Sequence, residues 1–441
     1  MVNLRCIERE PERSEPPKGF AEIEAELAGL VESGDDGAIK VVDAALGHAG
    51  AHNASDIHIE PWRDTTSVRF RIDGILHDVA RLPRAHHEKI AGRVKILARI
   101  ISYVKDTPQD GRIEPDATPC GTALRVSTFP TVEGEKIVIR VLDLDHSLLV
   151  LDALGFDEQT VDTLRGIIMR PSGTILLTGP ASSGKTTTIY SLLNEILLRR
   201  KPAPHTVTVE DPVECRLARI SQSQVNVHAG FTYEAALKAL LRQDPEVIML
   251  GEIRDPETAR AAIQAGLTGH LVISTVHSGT AAGVFARLLD MGVEPYLVAS
   301  SITGVLAQRL LRRTCPDCAL PYPPDPALAA GLGLAVSGEG QPISNTAVNI
   351  PATPLFTRGA GCPACLNIGY RGRFAVGELL LVNEQISNLL LTHPRTSDLH
   401  NAALDAPMRP LWQDAAGRVA AGQTTVEEVT RVIGPNPREA K

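Results

Sequence analysis

The sequence predicts an α/β protein, with a parallel sheet and helices between its strands, preceded by a smaller α+β domain. Three observations predict this architecture. Four short apolar runs, at 174–179, 205–214, 246–255 and 270–277, alternate with stretches that fit helices, as in a parallel sheet. The first run leads into a glycine-bounded loop and the start of a helix. Upstream, residues 37–145 hold segments of alternating apolar and polar residues, the pattern of half-exposed strands.

The composition is typical of a globular protein of more than one domain. The chain has 441 residues, of which 43% are hydrophobic and 22% are charged. Its net charge of −8 and its aromatic content of 4% argue against a protein that binds nucleic acid. No apolar run approaches the ~20 residues that span a bilayer. Charged residues occupy the N-terminus, where a signal peptide would be apolar, so we expect a cytoplasmic protein.

The chain divides into segments of different composition. Residues 1–36 are rich in Glu, Pro, Ser and Gly and predict a flexible leader, in which 20–31 could form a short amphipathic helix. The strands of the α+β domain have polar faces rich in Arg and His, for which a solvated surface is the simpler interpretation. The expected order after residue 145 is a linker at 146–156, the α/β core at 157–313, a cysteine module at 314–372, a C-terminal helical region at 373–434 and a tail at 435–441.

The loop after the first apolar run has the spacing G-x-x-x-x-G-K-[ST] of the phosphate-binding P-loop. Backbone N–H groups of such a loop, with the start of the next helix, can surround phosphate oxygens. Lys185 would reach the β- and γ-phosphates, and the Thr186 hydroxyl would ligate Mg²⁺. A chance glycine turn is the alternative for the motif alone. The predicted nucleotide-binding residues are Gly179, Pro180, Ala181, Ser182, Ser183, Gly184, Lys185, Thr186 and Thr187.

Ionisable residues follow the other three apolar runs. Ligands of open α/β sheets bind beyond the carboxyl ends of the strands, so these residues should converge on one nucleotide. Glu252 is the candidate for activating the attacking water, although a surface turn is the alternative. Glu210 is the first choice for a contact to magnesium or water, and His277 for a γ-phosphate sensor. His270, at the start of its run, is expected to be structural.

Four of the seven cysteines form two C-x-x-C pairs. Four thiolates from two such pairs complete a closed, tetrahedral, structural zinc site, whereas two incidental dithiols are the alternative. The segment 319–361 between the pairs is longer than the usual ~15–20 residues and is rich in Pro, Ala and Gly, so a long flexible loop is expected. The predicted zinc ligands are Cys315, Cys318, Cys362 and Cys365.

Taken in order, the motifs resemble those of the secretion ATPase superfamily, in particular the type II secretion ATPases and the type IV pilus assembly ATPases. The resemblance covers 37–434. The family's second N-terminal domain is matched by ASDIHIEP, RFRIDG, PQDGRI and the P-T-x-x-G-E segment. Its Walker A motif is matched by GPASSGKTTT, its Asp box by TVEDPVE, its Walker B region by RQDPEVIMLGEIRD and its His box by TGHLVISTVH. Its zinc segment is matched by CPDC, GCPAC, GYRGR and VGELL.

The resemblance implies a RecA-like P-loop NTPase core, a PAS-like N-terminal domain and a tetracysteine zinc module. It also implies a homohexamer in which ATP lies between the two domains, with Arg112, Arg125 and Arg140 as candidate phosphate contacts. The implied activity is Mg²⁺-dependent ATP hydrolysis that drives assembly of a type II pseudopilus or a type IV pilus. The partner would be an inner-membrane platform protein, and the chain would be peripheral to that membrane through its partners, without binding nucleic acid.

The sequence departs from the family pattern at three places. Ser182 stands where family P-loops usually carry Gly, the segment between the cysteine pairs is long, and the leader is too short for the family's first N-terminal domain. Ser182 and the short leader leave room for an alternative from another class, a nucleotide-binding regulatory or scaffolding subunit with little turnover, against which the intact Glu252 argues. A RecA-like motor on nucleic acid is the third alternative, which the acidic balance disfavours.

Overall fold

The computed structural model describes residues 17–142, 149–322, 356–406 and 408–434. The chain divides into two compact units between Asp143 and Leu144, close to the predicted boundary at 145. The first part of the predicted leader, the C-terminal tail and most of the segment between the cysteine pairs lie outside the described residues.

Over the described residues 17–142, the first unit consists of a six-stranded antiparallel sheet and three α-helices. Its strand order is β3-β2-β1-β6-β5-β4. The apolar residues of the alternating segments, such as Ile57, Ile59, Val68 and Phe70, are buried, because alternate side chains of a strand point to one face. The elements are α1 (Phe20–Val31), α2 (Gly37–Ala51), β1 (Asp56–Pro61), β2 (Thr65–Ile72), β3 (Ile75–Pro83), α3 (His87–Leu97), β4 (Gln109–Ile113), β5 (Ala123–Thr131) and β6 (Gly134–Leu142).

Helix α1 is the short amphipathic helix expected at 20–31, but it packs into the first unit, so these residues are not part of a flexible leader. Ile23, Leu27 and Val31 recur every fourth residue, lie on one face of the helix and are buried. The helix packs against β3 and α2. Its first turn is stabilised by the Glu22 carboxylate, which accepts a hydrogen bond from the N–H of Gly19 (2.9 Å).

The second unit is built on a seven-stranded sheet of order β15-β12-β7-β11-β10-β8-β9. Six strands are parallel, and only β15, at one edge, is antiparallel to its neighbour. The sheet strands are β7 (Gly173–Thr178), β8 (Thr206–Glu210), β9 (Ser221–Gln224), β10 (Val247–Leu250), β11 (Leu271–Thr275), β12 (Ile302–Thr314) and β15 (Tyr370–Leu381), and a separate hairpin is formed by β13 (Ala319–Pro321) and β14 (Thr357–Gly359).

Helices pack on both faces of this sheet, with an apolar cluster on each side. The four apolar runs singled out in the sequence form β7, β8, β10 and β11, and these four strands are adjacent in the sheet. The helices are α4 (Glu158–Ile168), α5 (Lys185–Arg199), α6 (Tyr233–Leu240), α7 (Pro256–Leu267), α8 (Ala281–Asp290), α9 (Pro295–Ser301), α10 (Glu384–Leu390), α11 (Thr396–Asp405), α12 (Leu411–Ala420) and α13 (Val426–Ile433).

The expected boundaries within the second unit differ from the structure at two places. Leu151, Leu154 and Phe156, from the predicted linker, are buried against α4 and α5, because a short 3₁₀ turn directs them into the core. Strand β15, placed by the sequence in the cysteine module and the helical region, pairs with β12 and so completes the core sheet. Within the described residues, no helix combines the length and apolar character needed to cross a membrane.

Candidate active site

The P-loop connects β7 to α5 at the carboxyl end of the sheet. Lys185 is the first residue of α5, and Thr186 follows it half-buried. The Lys185 ammonium folds back over its own loop and donates hydrogen bonds to the carbonyls of Gly179 and Pro180, each at 2.9 Å. Burial, and secondly the charge of Arg309, lower the pKa of Lys185. A cation held at the mouth of the loop suits a phosphate ligand.

Three loop residues have positive φ: Gly179 (150°), Ser182 (61°) and Gly184 (85°). A Cβ on Gly179 would lie 2.6 Å from both the Gln308 carbonyl oxygen and the Ser183 Oγ, so only glycine fits there. Ser182 adopts the left-handed conformation that costs an L-residue about 1–2 kcal/mol. The sequence departure at Ser182 therefore falls at a position where glycine has a conformational advantage.

Glu252 and His277 meet at the ends of neighbouring strands β10 and β11. His277 Nε2 lies 3.6 Å from one Glu252 oxygen, and the other oxygen accepts a hydrogen bond from Arg254 Nε. Burial, followed by the charges of Lys185 and Arg254, lowers the pKa of His277, so the imidazole is neutral at pH 7. The fold thus brings the predicted water-activating carboxylate, the predicted sensor and the P-loop lysine into one site.

Glu210 ends β8, but its carboxylate is occupied inside the protein. The residue is 2% exposed; one oxygen accepts a hydrogen bond from Tyr190 OH, and the other accepts from Thr208 Oγ1 and from Gln222 Nε2 (3.1 Å). These neutral donors stabilise a buried carboxylate. Its role as a magnesium contact stays a prediction.

Sequence reasoning missed several residues of this site. Tyr190 lies one helical turn after Thr186 on α5, a spacing that could have marked it as a neighbour of the site. Arg254 follows Glu252 by two residues, and Gln308 and Arg309 lie on β12, which the sequence did not predict. The Nδ1–H of His270 donates a hydrogen bond to the Ala265 carbonyl (3.1 Å), away from the strand end, in line with a structural residue.

The three predicted arginines of the first unit lie side by side. Arg112 on β4 is the cross-strand partner of Arg125 on β5, which is the partner of Arg140 on β6. Direct cross-strand partners point to the same face, so the three form one row. Arg140 Nε lies 2.9 Å from an oxygen of Asp56; the other two make looser pairs, Arg125 with Asp110 (3.5 Å) and Arg112 with Glu114 (3.8 Å). Adjacent like charges are unfavourable, and an anion would relieve their repulsion.

The four cysteines converge next to the β13–β14 hairpin, and all four sulfurs lie within 4.8 Å of one another. The Sγ–Sγ distances are 3.9 Å for Cys315–Cys362, 3.8 Å for Cys318–Cys365 and 3.7 Å for Cys362–Cys365. Four sulfurs about 2.3 Å from a tetrahedral Zn²⁺ would be about 3.8 Å apart, so the donor set fits zinc.

Backbone donors favour a thiolate at Cys365, whereas burial raises the pKa of the Cys315 and Cys318 thiols. Cys365 Sγ accepts hydrogen bonds from the backbone N–H groups of Cys362 (3.2 Å) and Gly369 (3.3 Å). Burial alone would raise the pKa of the Cys365 thiol, but these hydrogen bonds outweigh it and lower the pKa to about 7. The ligand of a metal must be deprotonated, so the backbone here is arranged for metal binding.

Comparison with known proteins places the chain in a family. The family described as "Type II/IV secretion system protein" matches residues 31–431. The type II secretion system ATPase E of Vibrio cholerae is 43% identical over 406 residues, which cover 91% of this chain and 77% of that protein. The type IV pilus assembly ATPase PilB of Thermus thermophilus is 39% identical over 430 residues, which cover 96% of this chain and 47% of that protein.

Among solved structures, the pilus retraction motor PilT with bound ADP superposes with a TM-score of 0.58 at 23% identity, covering 89% of this chain and 96% of that one. That likeness supports the α/β fold with its mixed sheet. The sequence relatives and the family match carry the assignment further: the chain belongs to the type II/IV secretion system protein family, among its secretion and pilus-assembly ATPases.

Proposed function

We propose that this chain is a Mg²⁺-dependent ATP hydrolase that drives assembly of a type II secretion pseudopilus or a type IV pilus. The observation that carries the proposal is the meeting of Lys185, Glu252 and His277 at the ends of three adjacent parallel strands. A P-loop cation and a carboxylate that positions or activates water are groups that P-loop NTPases use for phosphoryl transfer. A neutral imidazole beside them can donate a hydrogen bond to the γ-phosphate.

The parts of the candidate site have separate roles in the proposed hydrolysis of ATP. The backbone of 179–187 binds the phosphates, Lys185 neutralises their charge, and the Thr186 hydroxyl would ligate Mg²⁺. Glu252 accepts a proton from the attacking water, and neutral His277 donates a hydrogen bond to the γ-phosphate. Mg²⁺ bound between phosphate and protein oxygens would neutralise the developing charge. Glu210 would contact the water shell of Mg²⁺ only if its carboxylate released one of the hydrogen-bond donors that it now has.

The arginine row gives the first unit a role in the same reaction. Arg112, Arg125 and Arg140 present three cations on one face, which suits the charge that spreads over a γ-phosphoryl group. In the proposed homohexamer, the first unit is PAS-like and the second is RecA-like, and ATP hydrolysis supplies the energy for movement. The relatives' names support this assignment to a secretion or pilus machine.

The tetracysteine cluster would hold a structural zinc ion, because four sulfur ligands leave no open coordination position. The proposed partner is the cytoplasmic part of an inner-membrane platform protein, through which a cytoplasmic hexamer would associate with the membrane. Nucleic acid is not a proposed partner, in line with the net charge of −8.

Nucleotide binding by Lys185→Ala tests the P-loop assignment. We expect the affinity for ATP, measured by titration calorimetry, to fall more than tenfold, because the variant loses the cation that neutralises the phosphates. The control is Lys238→Ala, which removes an exposed lysine whose ammonium pairs with Glu234 on the same helix. Wild-type affinity in Lys185→Ala would refute the assignment.

A further inference from the structure

Strand β12 places two consecutive polar residues beside the P-loop. β12 runs parallel to β7, and Ala307 is the register partner of Thr178, the last residue of β7. Gln308 and Arg309 therefore lie alongside the loop, just beyond the end of β7. Neither residue has a role in the function proposed above.

The Gln308 side chain is hydrogen-bonded to the backbone of the P-loop. It is fully buried, and its Nε2 donates a hydrogen bond to the Ser183 carbonyl at 2.7 Å. A planar trans peptide presents its C=O and N–H on opposite sides, so this bond turns the N–H of Gly184 away from Gln308. The side-chain Nε2 of Gln308 lies 3.2 Å from the position that a Cβ on Gly184 would take. Its backbone carbonyl oxygen lies 2.6 Å from the position that a Cβ on Gly179 would take. Gln308 thus contacts both glycines that bound the loop.

Arg309 holds the loop that carries His277. Its guanidinium donates two hydrogen bonds of 2.9 Å, one to the Gln308 carbonyl and one to the Gly279 carbonyl. The residues after His277 are also tied to β7, since Thr178 Oγ1 accepts a hydrogen bond from the N–H of Ser278 (2.9 Å). The forked guanidinium of Arg309 therefore links β12 to the loop that carries His277, and this link lies beside the P-loop.

We propose that Gln308 and Arg309 are two positioning residues with separable effects: Gln308 sets the P-loop for phosphate binding, and Arg309 sets the His277 loop for turnover. The inference rests on the roles proposed above for the P-loop and His277. Loss of the Gln308 donor leaves the buried Ser183 carbonyl unpaired and frees the P-loop backbone, which weakens nucleotide binding. Loss of the Arg309 guanidinium leaves the Gln308–Ser183 hydrogen bond in place but frees the His277 loop. A displacement of 1 Å in a reacting site can cost about 10²-fold in rate.

The test compares four variants in the full chain: Gln308→Glu, Arg309→Gln, Arg309→Lys and, as control, Arg313→Gln. Gln308→Glu keeps the size of the side chain but replaces its donor with an acceptor. Arg309→Lys keeps the charge without the two-point fork. Arg313 lies on the same strand but is exposed and stacks over Phe374 instead of contacting the site. For each variant, the ADP dissociation constant is measured by titration and kcat by steady-state ATP hydrolysis.

We expect Gln308→Glu to raise the ADP dissociation constant about tenfold or more. Arg309→Gln and Arg309→Lys should both lower kcat about tenfold or more. In Arg309→Lys, which keeps the positive charge beside Lys185, the ADP dissociation constant should change less than threefold. The control should leave both quantities at wild-type values. Unchanged ADP affinity in Gln308→Glu, or rescue of kcat by Arg309→Lys, would overturn the inference, since the latter would assign Arg309 a point-charge role.

Lys185→Ala separates this inference from the proposed function. If that variant loses ADP binding while Gln308→Glu retains it, the positioning inference alone fails. If Lys185→Ala also binds ADP with wild-type affinity, the P-loop assignment itself fails. Urea unfolding of each variant identifies a global loss of structure, and the conservative Arg309→Lys keeps the inference testable if Arg309→Gln does not fold.

Discussion

Tyr190→Phe should destabilise the second unit although it removes a single oxygen atom. Tyr190 is fully buried, and its hydroxyl donates to the carboxylate of Glu210, which is 2% exposed. The substitution leaves one oxygen of a buried carboxylate without its donor and creates almost no cavity. Hydrogen bonds to charged groups contribute about 1.5–3 kcal/mol, so the free energy of unfolding should fall by about 2 kcal/mol. For a large domain, that loss lowers Tm by roughly 4–8 °C.

Urea unfolding and thermal melts measure this loss, with Tyr296→Phe as the control. Tyr296 is 59% exposed, so its variant should stay within about 0.5 kcal/mol of the wild type. Equal stability of Tyr190→Phe and the wild type would refute the reasoning, because it would mean that the Glu210 carboxylate does not depend on this donor.

The same hydroxyl predicts how stability depends on alkaline pH. Burial, then the Glu210 charge, raises the pKa of Tyr190 above its ordinary value of 10. A group whose pKa is raised by folding contributes fully below its unfolded pKa, and the contribution is lost as pH rises beyond it. The wild type should therefore lose stability more steeply than Tyr190→Phe above about pH 10.

Two further substitutions test the P-loop backbone and the cysteine cluster. Ser182→Gly should raise the free energy of unfolding by up to about 1 kcal/mol, because glycine adopts φ = 61° without strain, although it also gains entropy in the unfolded chain; a loss of stability in urea would contradict this. Cys362→Ser should release zinc, measured by elemental analysis of the purified protein, and destabilise the module, since metal binding there contributes to folding. An unchanged zinc content would overturn the four-cysteine site.

Local patterns predicted the strands around the P-loop and the convergence of the two cysteine pairs. The P-loop spacing fixes the order of strand, loop and helix, and the four apolar runs are long enough and apolar enough to be buried parallel strands. The pairs at 315–318 and 362–365 converge as predicted, although 43 residues separate them, because the β13–β14 hairpin brings their ends together.

Features that depend on distant pairing were not predictable from the sequence. Apolar and polar residues do not alternate strictly along β12, because the strand is buried on both faces. Nothing in the sequence pattern therefore marked Gln308 and Arg309 as neighbours of the P-loop. The alignment of the three arginines depends on strand register, which a sequence pattern does not specify across β4, β5 and β6. The donors that surround Glu210 come from α5, β8 and β9, and only the folded sheet brings them together.

Steady-state ATP hydrolysis by the wild type and by Glu252→Gln, with the mass of the oligomer measured in parallel, tests the central claim most directly. We expect Mg²⁺-dependent turnover from a hexamer and a loss of about 10² or more in kcat in Glu252→Gln, which still binds ATP, because the variant lacks the base that accepts the proton of the attacking water. Equal turnover by the two proteins would contradict the role of Glu252. Tight ATP binding without turnover in either protein would contradict the motor function and favour a regulatory subunit.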